Sequence, residues 1–490
     1  MEYKWTVLTV TTVGVLMSGV DTRIVVIGLP LVAASLHADA EQAIWFTQAY
    51  LIGSTIALLF IGRVSDMFGR VKLYTVGFSV FTVGSLLTAL SPAPVDFIMA
   101  RILQGLGSAA LFANSAAIIT DAFPQGELGL ALGTNQIAFR AGSMAGLTIS
   151  GLILSILDWR YLFYVNIPIG IFGTLWAHRR LREVNAPEKG VPMDWPGFAS
   201  FTVFILSLLL ALTYAAYGLG EEPIVAAFAL VAAVAIVAFA FAEQRTEHPL
   251  LDLGLLRIRQ FSGGVVTQLL NAIAFGAFLL IISLYLQLVQ GLSPLQAGIA
   301  ILPFDVAFLL VGPLSGRLSD TFGTLPFTAA GLATVSLSLL LFSTIGPGVP
   351  YVALLVYLVV GGAGMGLFAS PNISSIMGSV PTARRGVASG VRATFFNVGL
   401  TLSFNVVILV LTFSLPYSLV TSIVSSTNVS GISASARALF AAGLDKVYLV
   451  LAAVNSVALV PSLLTGRRRG GGPPPSGNSN TTGRGSEPTD

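Results

Sequence analysis

The sequence predicts an all-α polytopic membrane protein. Three observations carry this: too few charges for a water-soluble surface, a series of apolar stretches long enough to cross a bilayer, and a one-sided distribution of lysine and arginine. Of 490 residues, 55% are hydrophobic and 10% charged, against about 25% charged in an ordinary soluble chain. The mean hydropathy is +0.86. A surface so poor in charge faces lipid. The absence of cysteine removes disulfides, thiolate metal sites and cysteine nucleophiles. The pI near 9.1 comes from basic residues scattered singly through apolar sequence, a pattern of membrane orientation and not of a nucleic-acid surface.

A membrane-spanning helix takes ~20 mainly apolar residues. Fourteen such stretches run near 5–30, 43–62, 73–91, 95–120, 130–156, 161–178, 197–217, 223–242, 263–288, 295–314, 325–345, 349–371, 388–413 and 443–465. Asp158-Trp159-Arg160 divides the fifth from the sixth, and Gly346, Pro347, Gly348 and Pro350 mark a tight turn after the eleventh. The first stretch is longer than the apolar core of a cleaved signal peptide and carries Asp21 and Arg23, so it reads as a span. With a cytoplasmic N-terminus, 18 of the 25 basic residues fall inside, Arg160, Arg437 and Lys446 outside, and Arg23, Arg101, Arg140 and Arg392 within spans. That asymmetry is what the positive-inside rule requires. Both termini are expected in the cytoplasm, with the protein in the cell membrane.

Two loops repeat each other: Gly62-Arg-Val-Ser-Asp66-Met-Phe-Gly69 and Gly316-Arg-Leu-Ser-Asp320-Thr-Phe-Gly323. Six of the eight residues agree in register, each copy following the second span of its half. The expected organisation is therefore a six-span half over 1–178, a linker over 179–260 carrying two inserted spans (197–217 and 223–242), and a second six-span half over 261–466. Residues 467–490 open on three arginines and continue as a Gly, Pro, Ser and Asn tract, a disordered cytoplasmic tail by composition. The connection 414–440 is the longest outer loop, with a surface helix expected over Ser433–Leu444. Parallel repeats place a substrate site near the midplane, between the halves.

The repeated loop resembles the signature of the major facilitator superfamily: Gly62-Arg-Val-Ser-Asp66-Met-Phe-Gly69-Arg70-Val-Lys72 follows it almost throughout. Arg101-Ile-Leu-Gln104-Gly105-Leu-Gly107-Ser-Ala109 is similar to its fourth-span pattern. Trp159-Arg160-Tyr-Leu-Phe-Tyr-Val-Asn166-Ile-Pro168-Ile-Gly170 and Asp21-Thr-Arg-Ile-Val-Val-Ile-Gly-Leu-Pro30 are similar to segments of its fourteen-span drug:H⁺ antiporters. The resemblance covers residues 5 to 465. It implies two six-helix halves of the major facilitator fold plus two central spans, working by alternating access. The sequence departs from those antiporters at Arg23 and Val26 in span 1, and at Leu147 and Ser150 in the glycine-rich motif of span 5. Direction of transport is thereby less constrained than fold.

Charged groups inside a membrane are costly and mark function. Asp21 and Asp305 are the acids well inside spans, and they are the expected proton-coupling residues, with Arg101 and Arg140 as their charge partners. Counting 1.5 Å per residue, Arg140 and Asp305 lie at about 18 and 16 Å from the inner surface, and the resemblance places their two helices face to face. A direct Arg140–Asp305 contact is therefore expected. Arg23 is expected to snorkel to the outer interface. Gly62, Asp66, Gly69 and Arg70 with Asp121 resemble the family's inner-face latch; Gly316, Asp320 and Gly323 form a weaker copy, since no basic residue follows Gly323. Gly142, Gly146 and Gly151 are expected to pack helix against helix. Gln268, Asn271, Phe275, Phe304 and Arg392 are cavity candidates, alongside Asn114, Asn397, Asn405, Phe308 and Phe395.

The expected function is proton-coupled transport of small amphipathic or hydrophobic compounds, most simply multidrug:H⁺ efflux, by a monomer in contact with membrane lipids and with protons as coupling ion. Export of a lipid or other hydrophobic metabolite, and proton symport, stay open on the same fold. An enzyme is disfavoured because no H-E-x-x-H, nucleophile elbow or cysteine is present, and His37, His178 and His248 lie in loops or at span ends. A channel does not require repeated latch loops. No phosphate-binding loop is present, so neither ATP nor any other cofactor is expected. One charge crossing ~150 mV releases about 3.5 kcal/mol, enough for a gradient of a few hundredfold.

Overall fold

A computed structural model describes residues 2–184, 193–217, 222–246, 249–251, 254–346, 348–381, 385–416 and 434–465. All regular structure among them is helical. The helices are α1 (Tyr3–Ser35), α2 (Ala40–Phe68), α3 (Arg70–Leu90), α4 (Pro94–Ala122), α5 (Gln125–Ile156), the single turn α6 (Tyr161–Tyr164), α7 (Asn166–Arg180), α8 (Trp195–Tyr217) and α9 (Glu222–Arg245). There follow α10 (Arg259–Phe275), α11 (Phe278–Leu284), α12 (Pro294–Phe322), α13 (Thr324–Phe342), α14 (Tyr351–Gly378), α15 (Arg385–Thr412), α16 (Ala434–Val457) and α17 (Leu459–Thr465). Twelve segments among the described residues are long and apolar enough to cross a membrane. The expected spans 43–62 and 161–178, which are not among those twelve, correspond to α2 and to α6 with α7. Ala434–Leu444 is not a separate surface helix: it opens α16 and runs into the last span without a break. The tail and residues 417–433 lie outside the described residues.

The chain crosses back and forth, so the bundle has a near end, where α1 begins, and a far end, where α1 finishes. Helices α1 to α7 pack on one another, with α1 against α5 and α4 against both α2 and α3. Helices α10 to α17 form a second group, with α14 against α12 and α13, and α10 against α15. The hairpin α8–α9 packs mainly on itself and lies against α2 and α15. Its base at the near end is tied by Asp194, which accepts from the backbone N–H of Gly197 at 2.8 Å. Glu243 there accepts from the N–H of Leu251 at 3.1 Å.

The internal repeat reaches beyond the loops into the helix boundaries. α2 and α12 each start with a reciprocal capping box, Asp39 with Gln42 and Ser293 with Gln296, and both run 29 residues. Each box satisfies two backbone donors that a helix start leaves open. Both helices stop at a glycine of positive φ, Gly69 at 103° and Gly323 at 88°, a conformation that a Cβ disfavours. Start, length and stop recur at a constant offset, so the same local physics was used twice. α10 ends at Gly276 and the chain re-enters helix at Phe278, then passes into a π-helical turn, Tyr285–Val289.

Glycine sets the helix spacing where two backbones cross. A Cβ on Gly142 would collide with the carbonyl of Leu16, and one on Gly146 with that of Val20. Gly19 of α1 returns the contact against Phe139. Gly151 lies instead against α12, where a Cβ would sit 2.9 Å from the Pro294 carbonyl oxygen. In lipid no hydrophobic effect pulls helices together, and close van der Waals approach through small residues takes over that role. Overpacking of this kind costs ~1–3 kcal/mol. Gly146→Val should therefore lower the melting temperature of the detergent-solubilised protein by several degrees. Gly62→Ala, whose Cβ would meet nothing within 4 Å, should leave it unchanged.

Candidate functional site

Midway through the bundle the two helix groups flank an open cavity, with about 1470 Å³ of empty space when the open solvent is included. Its wall comes from α1, α2, α4 and α5 on one side and from α10, α11, α12, α14 and α15 on the other. Most of the wall is apolar, and its charged groups are Arg23, Arg140 and Asp305.

Asp305 and Arg23 meet across the cavity. The Arg23 guanidinium donates to both carboxylate oxygens of Asp305, at 2.9 and 3.2 Å. Their side chains are 17% and 10% exposed. The pair joins α1 of the first group to α12 of the second, at the middle depth of each. It corrects two expectations. Arg23 does not snorkel to the surface; it turns inward to the one cavity carboxylate. Arg140 makes no ion pair with Asp305; its guanidinium lies over the ring of Phe308, 4.6 Å from the centroid. Phe308 stands three residues after Asp305 on the same face of α12, so Arg140 and Asp305 lie at similar depth in the bundle. Depth alone does not set which helix rotation brings a side chain within reach.

Asp21 faces the other way. Its carboxylate pairs with Arg101, accepts from Gln104 Nε2 at 2.8 Å and from Asn166 Nδ2 at 3.0 Å. Ser85 completes the network, accepting from Gln104 and Asn166 at 3.2 and 3.1 Å. Asp21 is 0% and Arg101 1% exposed. Arg101 also donates to the carbonyl of Phe46 at 3.3 Å and lies under the Tyr50 ring at 4.5 Å. Tyr50 lines the cavity itself and donates to Ser108 Oγ at 2.7 Å, so its ring is the partition between the Asp21 network and the cavity. Neither Asp21 nor Arg101 belongs to the cavity wall, although α1 and α4, which carry them, both border it. The reason is angular: residues 21 and 23 lie about 200° apart around a helix, so when Arg23 faces the cavity Asp21 faces the packed interior.

The other expected residues divide. Asn271, Phe275, Phe304, Phe308 and Asn397 line the cavity. Gln268 and Arg392 do not, because each lies about one turn nearer the near end than the lining residues of its helix, Asn271 on α10 and Phe396 on α15. Asn114 bonds to the carbonyl of Ala110 within its own helix, and Phe395 packs into a neighbouring apolar cluster. Asn405 accepts from Gln48 at 2.8 Å, a link between the two groups near the far end. A second link, from Gln287 Nε2 to the carbonyl of Ile27 at 3.3 Å, and the contact of Gly298 with the Leu147 carbonyl close the same end. Gln48 and Gln287 were not singled out from sequence, since nothing local distinguishes them from other span glutamines.

At the near end, Arg70 donates to both oxygens of Asp121 at 2.8 and 2.9 Å, joining α3 to α4. Gly62 faces open space, and Gly316 lies against Ser370. Asp320 is exposed. The side chain of Asp66 lies outside the described residues.

A multi-pass helical bundle with a central, largely apolar cavity bridged by an ion pair defines a membrane transporter. The sequence model of the Major Facilitator Superfamily matches residues 11–404, and the chain belongs to that family. It is 32% identical over 405 residues to the riboflavin transporter RibZ of Clostridioides difficile (strain 630), covering 82% of this chain and 87% of that one. It is 30% identical over 401 residues to the multidrug resistance protein Stp of Mycobacterium tuberculosis (strain CDC 1551 / Oshkosh), covering 81% and 74%. Among solved structures, the xylose transporter XylE from E. coli, in a partially occluded inward-open conformation, superposes with TM-score 0.60 at 16% identity, covering 94% and 96%.

The two ion pairs should respond differently to neutralisation. Asp21→Asn leaves Arg101 buried without a counter-charge, a loss of roughly 3–5 kcal/mol, and should markedly lower the thermal unfolding temperature in detergent. Asp305→Asn, beside an open cavity that water can enter, should lower it much less.

Proposed function

We propose that the protein is a proton-coupled antiporter that exports small amphipathic compounds by alternating access. In this reading fourteen spans form two six-helix halves, 1–178 and 261–466, with α8 and α9 as the two-span insertion. Both termini are cytoplasmic and the membrane is the cell membrane. The near end is then the cytoplasmic end, and the closed far end makes this an inward-facing arrangement.

The observation that carries the reading is the Arg23–Asp305 pair. It crosses the boundary between the halves inside the cavity, where a charge state can be felt by both substrate and conformation. With Asp305 ionised, the pair adds to the far-end links Gln48–Asn405 and Gln287–Ile27 and holds the halves together there. A proton on Asp305 removes the charge that Arg23 binds, the bridge weakens, and the halves are free to part at the far end. Substrate that competes for Arg23 or Asp305 reports its presence through the same contact. Proton and cargo thus release the same bridge in turn, each excluding the other from it, so that the halves alternate only when one or the other is bound, which is the requirement for exchange. The similarity to Stp supports an amphipathic cargo and outward direction; the similarity to RibZ supports a cargo with a flat aromatic core.

Asp21 enters this scheme as a positioning residue: its network fixes α1 against α4 and α7, and with it the direction in which Arg23 points. The latch residues Gly62, Asp66, Gly69, Arg70 and Asp121, and the second copy at Gly316, Asp320 and Gly323, would engage on the cytoplasmic side when the far end opens.

Proteoliposomes loaded with a pH-sensitive dye test the coupling. Addition of transported amphipathic dyes should discharge an imposed proton gradient with wild-type protein, and Asp305→Asn should reduce that flux by at least about tenfold, the scale of losing one charge-assisted contact. Undiminished proton flux in Asp305→Asn removes the pair from the mechanism.

Conformation gives an independent check. The chain has no native cysteine, so spin labels on Leu152→Cys and Ile299→Cys, which lie on α5 and α12 near the far end, report that end alone. Their separation should lengthen as pH falls, and Asp305→Asn should show the lengthened distance already at neutral pH.

A further inference from the structure

We infer that the cavity selects a planar aromatic substrate carrying an acidic group, a carboxylate or its equivalent, in preference to a lipophilic cation. The inference rests on the transport reading above and names the substrate class of the same cavity.

The charge inventory points this way. Three charged side chains line the cavity, two arginines and one aspartate. Arg23 and Asp305 neutralise each other at 2.9 Å. That leaves Arg140, which forms no salt bridge among the described residues, feels Asp305 only at longer range, and has as its close contact the face of Phe308 at 4.6 Å. Below it, Arg392 is 9% exposed and its Nε has no acceptor. Asp21, the other buried carboxylate at the middle depth of the bundle, is enclosed behind Tyr50 by Arg101, Gln104 and Asn166. A cation entering the cavity finds its one possible counter-ion already held by Arg23 and meets a guanidinium with no ion-pair partner of its own. An anion finds in Arg140 a partner whose burial without a counter-charge is costly.

Geometry adds the aromatic half. A guanidinium over a phenyl ring spends none of its five N–H donors on a carboxylate, and those donors make the fork that a carboxylate takes in two parallel hydrogen bonds. Phe304, one helical turn from Phe308, stacks with Phe275 at 5.3 Å between centroids and 19° between planes. Phe304 and Phe275 both border the cavity, so this aromatic wall lies within roughly 10 Å of the anion-binding fork, one helical turn plus the contact of Arg140 with Phe308, close enough for one fused-ring molecule to use both.

Two dyes on one xanthene core separate the possibilities: fluorescein, an anion at neutral pH, and tetramethylrhodamine methyl ester, a cation. Fluorescence anisotropy with the purified full-length protein in detergent measures each without any gradient. Fluorescein should bind about tenfold or more tightly than the rhodamine ester, and Arg140→Gln should weaken fluorescein about 10- to 100-fold and bring the dyes level, as loss of a charged hydrogen-bonding partner does. Arg140→Lys, which keeps the charge and loses the fork, should fall between. Tighter binding of the rhodamine ester, fluorescein affinity unchanged within about twofold in Arg140→Gln, or no saturable fluorescein binding would each overturn the inference. Fluorescein held but never moved in proteoliposomes would sink the transport reading and leave the ligand class standing. Rhodamine ester transport without fluorescein binding would do the reverse.

Discussion

A guanidinium cannot be left bare in hydrocarbon at small cost, and this chain carries four within its spans. How each one is matched organises much of the structure. Arg101 is sealed with Asp21, two amides and a hydroxyl, and no side chain of that network but Tyr50 touches the cavity. Arg23 reaches across to Asp305 in the other helix group. Arg140 covers an aromatic face, and Arg392 stays partly unsatisfied beneath the cavity. The four cases run from a fully compensated structural pair to charges whose complement has to come from elsewhere. Rigidity follows the first kind and function the second.

The same division explains why the sealed pair and the bridging pair sit only two residues apart on α1. A helix presents residues 21 and 23 to nearly opposite sides. One side is packed so closely against α5 that glycines must stand at the crossings, at Gly19, Gly142 and Gly146; the other opens on the cavity. Tight packing through these backbones gives α1 a defined rotation, and that rotation delivers Arg23 to Asp305. A change of α1 rotation by a fraction of a turn would break the inter-group bridge and expose Asp21 together. Helix packing and charge pairing are therefore coupled through a single element.

Much of the fold was legible because lipid imposes simple rules. Backbone polar groups must be satisfied within the helix, so apolar stretches and polar breaks read directly as helices and turns; the expected breaks at Asp158-Trp159-Arg160 and after residue 345 are found. The repeated loops pointed to an internal duplication, and the capping boxes of α2 and α12 recur at the same offset as the loops. The site was legible only in part. Asp21 with Arg101, and the aromatic residues Phe275 and Phe304, were recognisable as unusual groups at the right depth. The exchange of partners, Arg23 for Arg140, was not, because two arginines at similar depth compete for one carboxylate and local sequence is silent about helix rotation. Gln48 and Gln287 escaped notice for a related reason: each acquires its meaning from a partner more than 250 residues away.

The sequence by itself determined the solvent the protein lives in, the series of apolar helices, the duplicated loop and the identity of the charges that have to be accommodated. Those are properties of composition and short-range pattern, and they follow from transfer free energies and helix geometry. The tertiary structure alone decided which charge meets which, which face of α1 looks into the cavity, and which end of the bundle is closed. These depend on rotations and crossings of helices far apart in sequence, settled by the close fit of small residues at their contacts, and a linear pattern carries no record of that fit.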